Sequence, residues 1–168
     1  SEMLGIQDNV LFSRERVEFD QMNILYNISD FCINTSYAEG FGLSTLESMM
    51  AGTPIIAPKT GGLTRQVVDH RDGSENGVAL DIDVKTLVGS QQVPYIYEDY
   101  ASVENIASAI LKMYEYPEEY RDLLSNKVKN YVSSEFSMQG VIDAWHESLL
   151  TLSENWKNNI GSWTHETI

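Results

Sequence analysis

Short apolar runs alternate with amphipathic stretches along the first half of the chain. Met3-Leu4-Gly5 reads as a helix end with its glycine cap, and Asn9-Val10-Leu11-Phe12 as a short buried strand. Ser13 to Asp20 is polar and carries Arg14 and Arg16. A helix is expected after Phe19-Asp20, with Met22, Leu25, Tyr26 and Ile28 inward. Phe31 to Thr35 is the next strand. Leu43, Leu46, Met50 and Ala51 then recur at helical spacing. Pro54 to Ala57 is a continuous apolar run bounded by turn residues, the pattern of a buried parallel strand. Leu63 to Val68 reads as a short helix with Val67 and Val68 inward, and Val78-Ala79-Leu80 as a further strand. The turn-rich stretch between them, Asp69 to Gly77, reads as a solvated loop. This alternation of strand and helix predicts an α/β fold, a parallel sheet with helices on both faces.

The second half is mostly helical in pattern. Val84 to Val88 reads as one helical turn, and Val93-Pro94-Tyr95-Ile96-Tyr97 as extended and aromatic, packing a long loop. Ser102 is placed to cap a helix whose stripe is Val103, Ile106, Ala107, Ile110, Leu111 and Tyr114. Pro117 starts another that runs to about Phe136. Ser137 caps a last helix in which Val141, Ile142, Trp145, Leu149, Leu152 and Trp156 keep helical period. No repeat or low-complexity segment interrupts the chain.

Candidate chemistry concentrates between the strand at Phe31 and the strand at Pro54. Tyr37-Ala38-Glu39-Gly40-Phe41-Gly42-Leu43 is a glycine loop that opens directly into a helix. Gly40 and Gly42 permit a sharp turn and a close approach to a ligand. A helix start aims free N–H groups, and the positive dipole end of about half a charge, at whatever lies above it. An anion, most naturally a phosphate, suits that place, and ligands of such sheets bind beyond the carboxyl ends of the strands. Two carboxylates flank the loop. Glu47 lies on or beside the apolar stripe, where a charge needs a partner. It is either a solvated edge residue or an acceptor for ligand hydroxyls. Glu39 is either an exposed loop acid or a ligand contact.

The charge balance narrows the classes. At 168 residues and 42% hydrophobic composition the chain is one domain with enough apolar material for a core. A formal net charge of −14 argues against nucleic acid and against anionic membrane surfaces. An anionic ligand would therefore rely on local positive potential, from the helix start and from Lys59 and Arg65 around Gly61-Gly62, although each of these two also reads as an ordinary surface cation. Cys32 is the only cysteine and reads as an inert core residue; a chain without an internal disulfide fits a reducing, cytoplasmic setting. His70, His146 and His165 are scattered, and no metal-ligand spacing is present.

Glu39 and Glu47 with seven residues between them, Gly-Phe-Gly-Leu inside, then Ala51-Gly52-Thr53-Pro54-Ile55-Ile56-Ala57, Gly61-Gly62 and Asn76-Gly77, form a pattern. It resembles the signature of retaining GT-B glycosyltransferases, family 4 (group 1). Two acids at that separation alone would mean little; the ordered string is specific, and the resemblance covers about residues 10 to 136. It implies the Rossmann-like C-terminal, donor-binding half of a two-domain enzyme that moves a sugar from a nucleotide diphosphate sugar, UDP- or GDP-linked, to a glycan, lipid or small-molecule acceptor. By the same resemblance Glu39 meets the donor sugar near the reacting centre and Glu47 holds the ribose hydroxyls. Gly40, Phe41, Gly42, Leu43, Ser44 and Thr45 cradle the diphosphate, Arg14 lies against the base, and neither a metal nor another cofactor is required. Retention is ascribed to same-face attack, with the departing phosphate taking the proton.

The resemblance also implies parts that these residues do not contain: an N-terminal acceptor domain, and a phosphate-neutralising arginine and lysine from an earlier strand and helix of the donor domain. Residues 1–136 are accordingly expected to form a partial nucleotide-sugar domain, inactive alone, and residues 137–168 a helix and tail that cross to the absent domain, with Trp145, Trp156 and Trp163 at that contact. Packing on this same domain is the alternative for that helix. Thr35 and Ser48 depart from the pattern, where proline and alanine are common, without touching a charged role. Two other classes stay open: a non-catalytic nucleotide-sugar-binding module, and a nucleotide-sugar epimerase on the same architecture.

Overall fold

In the computed structural model, which describes residues 2–159, the centre is a three-stranded parallel sheet in the order β1 (Cys32–Ile33), β2 (Ile55–Pro58), β3 (Gly77–Leu80). Cys32 pairs with Ile55, and Ile55 with Gly77. β2 is buried at all four positions because it has a strand on each side and helices packed against it. That explains its unbroken Ile-Ile-Ala run. α2 (Leu43–Ala51) and α3 (Leu63–Val67) pack on this sheet, and α4 (Val103–Tyr114) on β3. α1 (Phe19–Ile28) lies on α2, as does α5 (Glu118–Glu135). The core joins Met49, Ile55, Ile56, Leu63, Val67 and Leu80 to Met113, Leu124, Val128 and Tyr131. Burying a side chain of this size contributes about 1.5–3 kcal/mol, so the sheet and its helices hold together as one body. The expected α/β architecture is present, and Ser102 caps α4 as anticipated, accepting from the Asn105 N–H at 3.3 Å.

Several expectations are corrected. Asn9 to Phe12 is not a buried strand: Leu11 is 98% exposed, and the segment has no ladder partner among the described residues. An apolar run without a neighbouring strand has nothing to pair with. Met3-Leu4 belongs to a short 3-10 helix, Glu2–Leu4, followed by Gly5 in the left-handed region. The strand expected over Phe31 to Thr35 shrinks to Cys32–Ile33. In α1, Met22 and Tyr26 turn inward, whereas Leu25 and Ile28 are exposed.

The buried face of α2 is not the stripe of Leu43, Leu46, Met50 and Ala51. It runs through Thr45, Ser48 and Met49, while Leu43 and Met50 are exposed. Polar side chains can face inward there because each has a partner: Thr45 meets Gln66 and Ser48 donates to the Thr53 carbonyl. In α4 the inner stripe is Ile106, Ala109, Ile110 and Met113, with Val103, Leu111 and Tyr114 outward.

Val84 to Leu87 is not a helical turn but a strand, β4, paired antiparallel with β5 (Tyr97–Tyr100). Its Val-Lys-Thr-Leu alternation suits a strand once the partner ten residues on is in place. Asp69, read as solvated, is buried and accepts from the Arg71 guanidinium, Nη2 at 2.7 Å and Nε at 2.9 Å, while Nη1 donates to Ser134 Oγ at 3.0 Å. That hydrogen bond holds the Asp69 carboxyl at about 2.

α6 (Met138–Asn159) starts where expected, with Gly140 N–H donating to Ser137 Oγ at 3.1 Å. It does not pack on this domain as the alternative reading held: none of its residues is buried, and Trp145 and Trp156 are 65% and 68% exposed. Trp163 and His165 lie outside the described residues. Among the described residues no helix is long and apolar enough to cross a membrane.

Candidate functional site

The glycine loop lies at the carboxyl end of β1 and feeds α2. Gly42 is the residue before the helix, with φ 88° and ψ 63°. A side chain there would be strained and would lie 2.6 Å from Leu63 Cδ2. With glycine in that place no side chain caps α2. No described acceptor takes the N–H groups of Leu43, Ser44 or Thr45, so the first turn presents free donors at the end of the sheet where ligands of such folds bind.

The loop is held from below along its length. Gly62 N–H donates to the Glu39 carbonyl at 3.1 Å. Gly61, with φ 45°, passes so close that a Cβ would fall 1.9 Å from that carbonyl oxygen. Gln66, fully buried on α3, donates from Nε2 to the Phe41 carbonyl at 2.6 Å and reaches the Gly42 carbonyl at 3.1 Å. Its Oε1 accepts from the Thr45 hydroxyl at 2.6 Å, and its own carbonyl accepts from Asn76 Nδ2 at 2.9 Å. Phe41 meets Phe136 edge-on, ring centroids 6.0 Å apart.

The Glu39 side chain is half-buried, not the freely exposed loop acid, and no described hydrogen bond or ion pair engages its carboxylate. Glu47 is exposed on the outer side of α2 and accepts from the Tyr26 hydroxyl at 3.1 Å. Burial, and then the Glu47 hydrogen bond, push the Tyr26 phenol up to about 12. Between α1 and α2 runs a groove of about 630 Å³ lined by Phe19, Met22, Asn23, Tyr26, Glu47 and Met50. Arg14 lies in the irregular exposed stretch before α1, and no described hydrogen bond or ion pair joins it to the loop. Lys59 and Arg65 are spoken for: Lys59 pairs with Asp81 at 2.6 Å, and Arg65 with Glu135. The local positive potential therefore rests on the helix start. Cys32 is partly buried in β1, and burial pushes its thiol up, as suits an inert side chain. Among the described residues no cluster of His, Cys, Asp or Glu could hold a metal ion.

Sequence reasoning did not single out Gln66 or Tyr26. Gln66 had a signal, an amide three residues after Leu63 and next to Val67 on a helix turned to the core, where a polar group must have partners. Tyr26 was expected inward, but its Glu47 partner is 21 residues away and follows only from how α1 crosses α2.

A family model described as glycosyl transferases group 1 matches residues 1–88. The chain is 38% identical over 71 residues to D-inositol 3-phosphate glycosyltransferase 2 of Catenulispora acidiphila, covering 42% of this chain and 16% of that protein. It is 40% identical over 78 residues to the D-inositol 3-phosphate glycosyltransferase of Acidothermus cellulolyticus, covering 46% of this chain and again 16% of the relative. Each match thus spans only a small part of the relative's length. Among solved structures, sucrose-phosphate synthase from Thermosynechococcus elongatus superposes with a TM-score of 0.65 at 21% identity, over 91% of this chain and 32% of that one. The catalytic domain of starch synthase IV from Arabidopsis thaliana, bound to ADP and acarbose, gives 0.57 at 23% identity, over 90% and 29%. These two likenesses concern the fold.

Proposed function

The chain belongs to the group 1 glycosyl transferases, and on that premise we propose that it supplies the donor side of an enzyme that moves a sugar from a UDP- or GDP-linked donor to an acceptor with retention of configuration. One observation carries this reading. An uncapped helix start, reached through Gly42 in a left-handed turn, stands between two carboxylates, Glu39 before it and Glu47 one turn into it.

Each part has a chemical task. Breaking a glycosyl–phosphate bond leaves negative charge on the departing diphosphate. The loop from Gly40 through Phe41 to Gly42 brings it close, and the N–H groups of Gly42, Leu43, Ser44 and Thr45 stabilise that charge. Glu39 faces the sugar, accepts its hydroxyls and favours positive character at the anomeric carbon. Glu47, on the wall of the α1–α2 groove, accepts the ribose hydroxyls, and the Tyr26 phenol keeps its carboxylate in place until they arrive. Arg14 lies against the base. The acceptor enters on the same face as the leaving group, and the departing phosphate takes its proton. No metal is needed in this scheme, and the acceptor domain comes from outside these residues.

The test is product analysis, on the protein that carries the acceptor domain as well, with UDP- and GDP-linked sugars and candidate acceptors, D-inositol 3-phosphate included because it is named for the relatives. A new glycosidic product with the donor's anomeric configuration supports the reading. An epimerised nucleotide sugar, or binding of the nucleotide with no turnover, would replace it.

A further inference from the structure

Beyond the parallel sheet the chain makes an antiparallel hairpin, β4–β5, whose second strand lies outside the residues matched by the family model. The hairpin is closed upon itself. Lys85 and Asp99 face each other in the register, with Nζ 3.3 Å from Oδ1. Val88 N–H donates to the Ile96 carbonyl at 2.8 Å, and Ser90 N–H to the Val93 carbonyl at 2.9 Å. At the tip Gly89 passes so close to Pro94 that a Cβ would fall 2.1 Å from its carbonyl oxygen.

Its hold on the rest of the molecule is narrow. Among the described residues, the hydrogen bonds that leave residues 84–100, apart from Asp83 N–H to the Tyr100 carbonyl at the hairpin's own base, all belong to Asp99. Asp99 N–H donates to the Tyr37 carbonyl at 2.7 Å. Its Oδ2 accepts from the Thr60 hydroxyl at 2.7 Å, in a place where Asp99 and Thr60 are 9% and 4% exposed. The next residue, Tyr100, lays its ring on that of Tyr37, centroids 4.2 Å apart and tilted 32°. A buried carboxylate needs partners; Oδ2 has the Thr60 hydroxyl, whereas Oδ1 has no hydrogen bond among the described residues and only the Lys85 ammonium of the hairpin at 3.3 Å.

Tyr37 begins the segment that carries Glu39. From Tyr37 onward the loop's carbonyls are bonded by three different elements: Tyr37 by β5, Glu39 by the Gly61-Gly62 turn, Phe41 by Gln66 of α3. We propose that Asp99 is a positioning residue. It anchors the β4–β5 hairpin to Thr60 and Tyr37, and so fixes the entry of the glycine loop and with it the place of Glu39; the catalytic meaning of that placement rests on the donor-site reading above. Thr60 holds the Asp99 carboxylate and the Asp99 backbone N–H holds the Tyr37 carbonyl, so loss of the side chain unfastens the strand that carries the Tyr37 bond and loosens the loop entry without removing a core side chain of β2, α3 or α5.

Amide hydrogen exchange on the whole chain tests this directly. In Asp99→Ala, exchange at the amides that hold the loop carbonyls, residue 99 on Tyr37 and Gly62 on Glu39, should rise by about tenfold or more, the effect of one charge-assisted hydrogen bond, while the amides of β2 and α5 keep their protection. Asp99→Asn keeps an acceptor for Thr60 and should restore most of the protection. Thr60→Val removes the other end, should loosen the same residues, and serves if Asp99→Ala does not fold. Unchanged exchange at the amides of residues 62 and 99 in both Asp99→Ala and Thr60→Val overturns the proposal. So does loss of protection spread evenly over β2 and α5, which would make Asp99 a general stabiliser. The donor-site reading is judged separately, by release of UDP or GDP from UDP-glucose or GDP-mannose in Glu39→Gln against the parent, both carrying the acceptor domain. That variant leaves Asp99 untouched, so a failure there leaves the exchange result standing.

Discussion

Tyr26 on α1 donates its hydroxyl to Glu47 on α2 across 3.1 Å, and these two side chains close one wall of the groove between the helices. The phenol, held up to about 12 by burial and by this bond, stays protonated through the neutral range and donates its proton to the Glu47 carboxylate. Glu47 thus has one oxygen engaged by Tyr26, and among the described residues no hydrogen bond engages the other.

Glu47→Gln should weaken nucleotide binding by roughly 10- to 150-fold, the value of about 1.5–3 kcal/mol for a hydrogen bond to a charged group, and slow the bound reaction less. Titration with UDP or GDP and with the 2′,3′-dideoxy analogues checks it. A variant that still prefers the ribonucleotide as strongly as the parent does would remove Glu47 from the ribose.

Glu39→Gln should melt near the parent and bind nucleotide normally, because its carboxylate has no described protein partner to lose and its backbone carbonyl bond to Gly62 N–H is retained. The transfer rate should fall by about 10²–10³, the usual effect of losing one preorganised electrostatic contact. Single-turnover kinetics with saturating donor, in the protein that carries the acceptor domain, separates the two quantities. Parent-like transfer would take Glu39 out of the site.

Gln66→Leu keeps the volume and removes the amide contacts that α3 makes with the loop, leaving the Gly62 N–H bond to the Glu39 carbonyl. The Phe41 carbonyl loses its amide partner, and the buried Thr45 hydroxyl keeps only the Gly42 carbonyl at 2.8 Å. Each buried group left unsatisfied costs about 1–3 kcal/mol, and about 2–4 °C is lost per kcal/mol in a chain of this size. Calorimetry should therefore show melting lower by at least several degrees, with nucleotide affinity reduced as well because the loop and helix start move together. Unchanged melting would mean that the loop does not lean on α3.

Asp69→Asn tests a pH dependence. The folded carboxyl, held at about 2 by Arg71, lies below its ordinary value. Its contribution to stability is therefore fully present above the ordinary carboxylate range and is lost as pH falls through that range towards the folded value. The melting difference between parent and Asp69→Asn should be largest at neutral pH and shrink between about pH 4 and pH 2. A difference that stays constant down to pH 2.5 would show that the Arg71 pair contributes nothing.

What the sequence by itself determined is local and repetitive. Ile55-Ile56-Ala57 can only be an interior strand, because it is apolar on both faces. Gly42 before Leu43 can only be a helix entry, because glycine accepts the left-handed turn there. The order of Glu39, the Gly-Phe-Gly-Leu string and Glu47 carried the family without any coordinates. Tertiary structure decided everything that depends on a distant partner. Val10-Leu11-Phe12 has strand character but finds no ladder, so it stays exposed. Val84 to Leu87 has the length of a helical turn but becomes a strand because Tyr97 to Tyr100 returns beside it. The inward face of α2 is Thr45, Ser48 and Met49, since Gln66 and the Thr53 carbonyl satisfy its hydroxyls, a fact that hydrophobicity along the chain does not contain. Tyr26 with Glu47, and Asp99 with Tyr37, are pairs 21 and 62 residues apart, and only the packing of helix on helix and hairpin on loop brings them within a hydrogen bond.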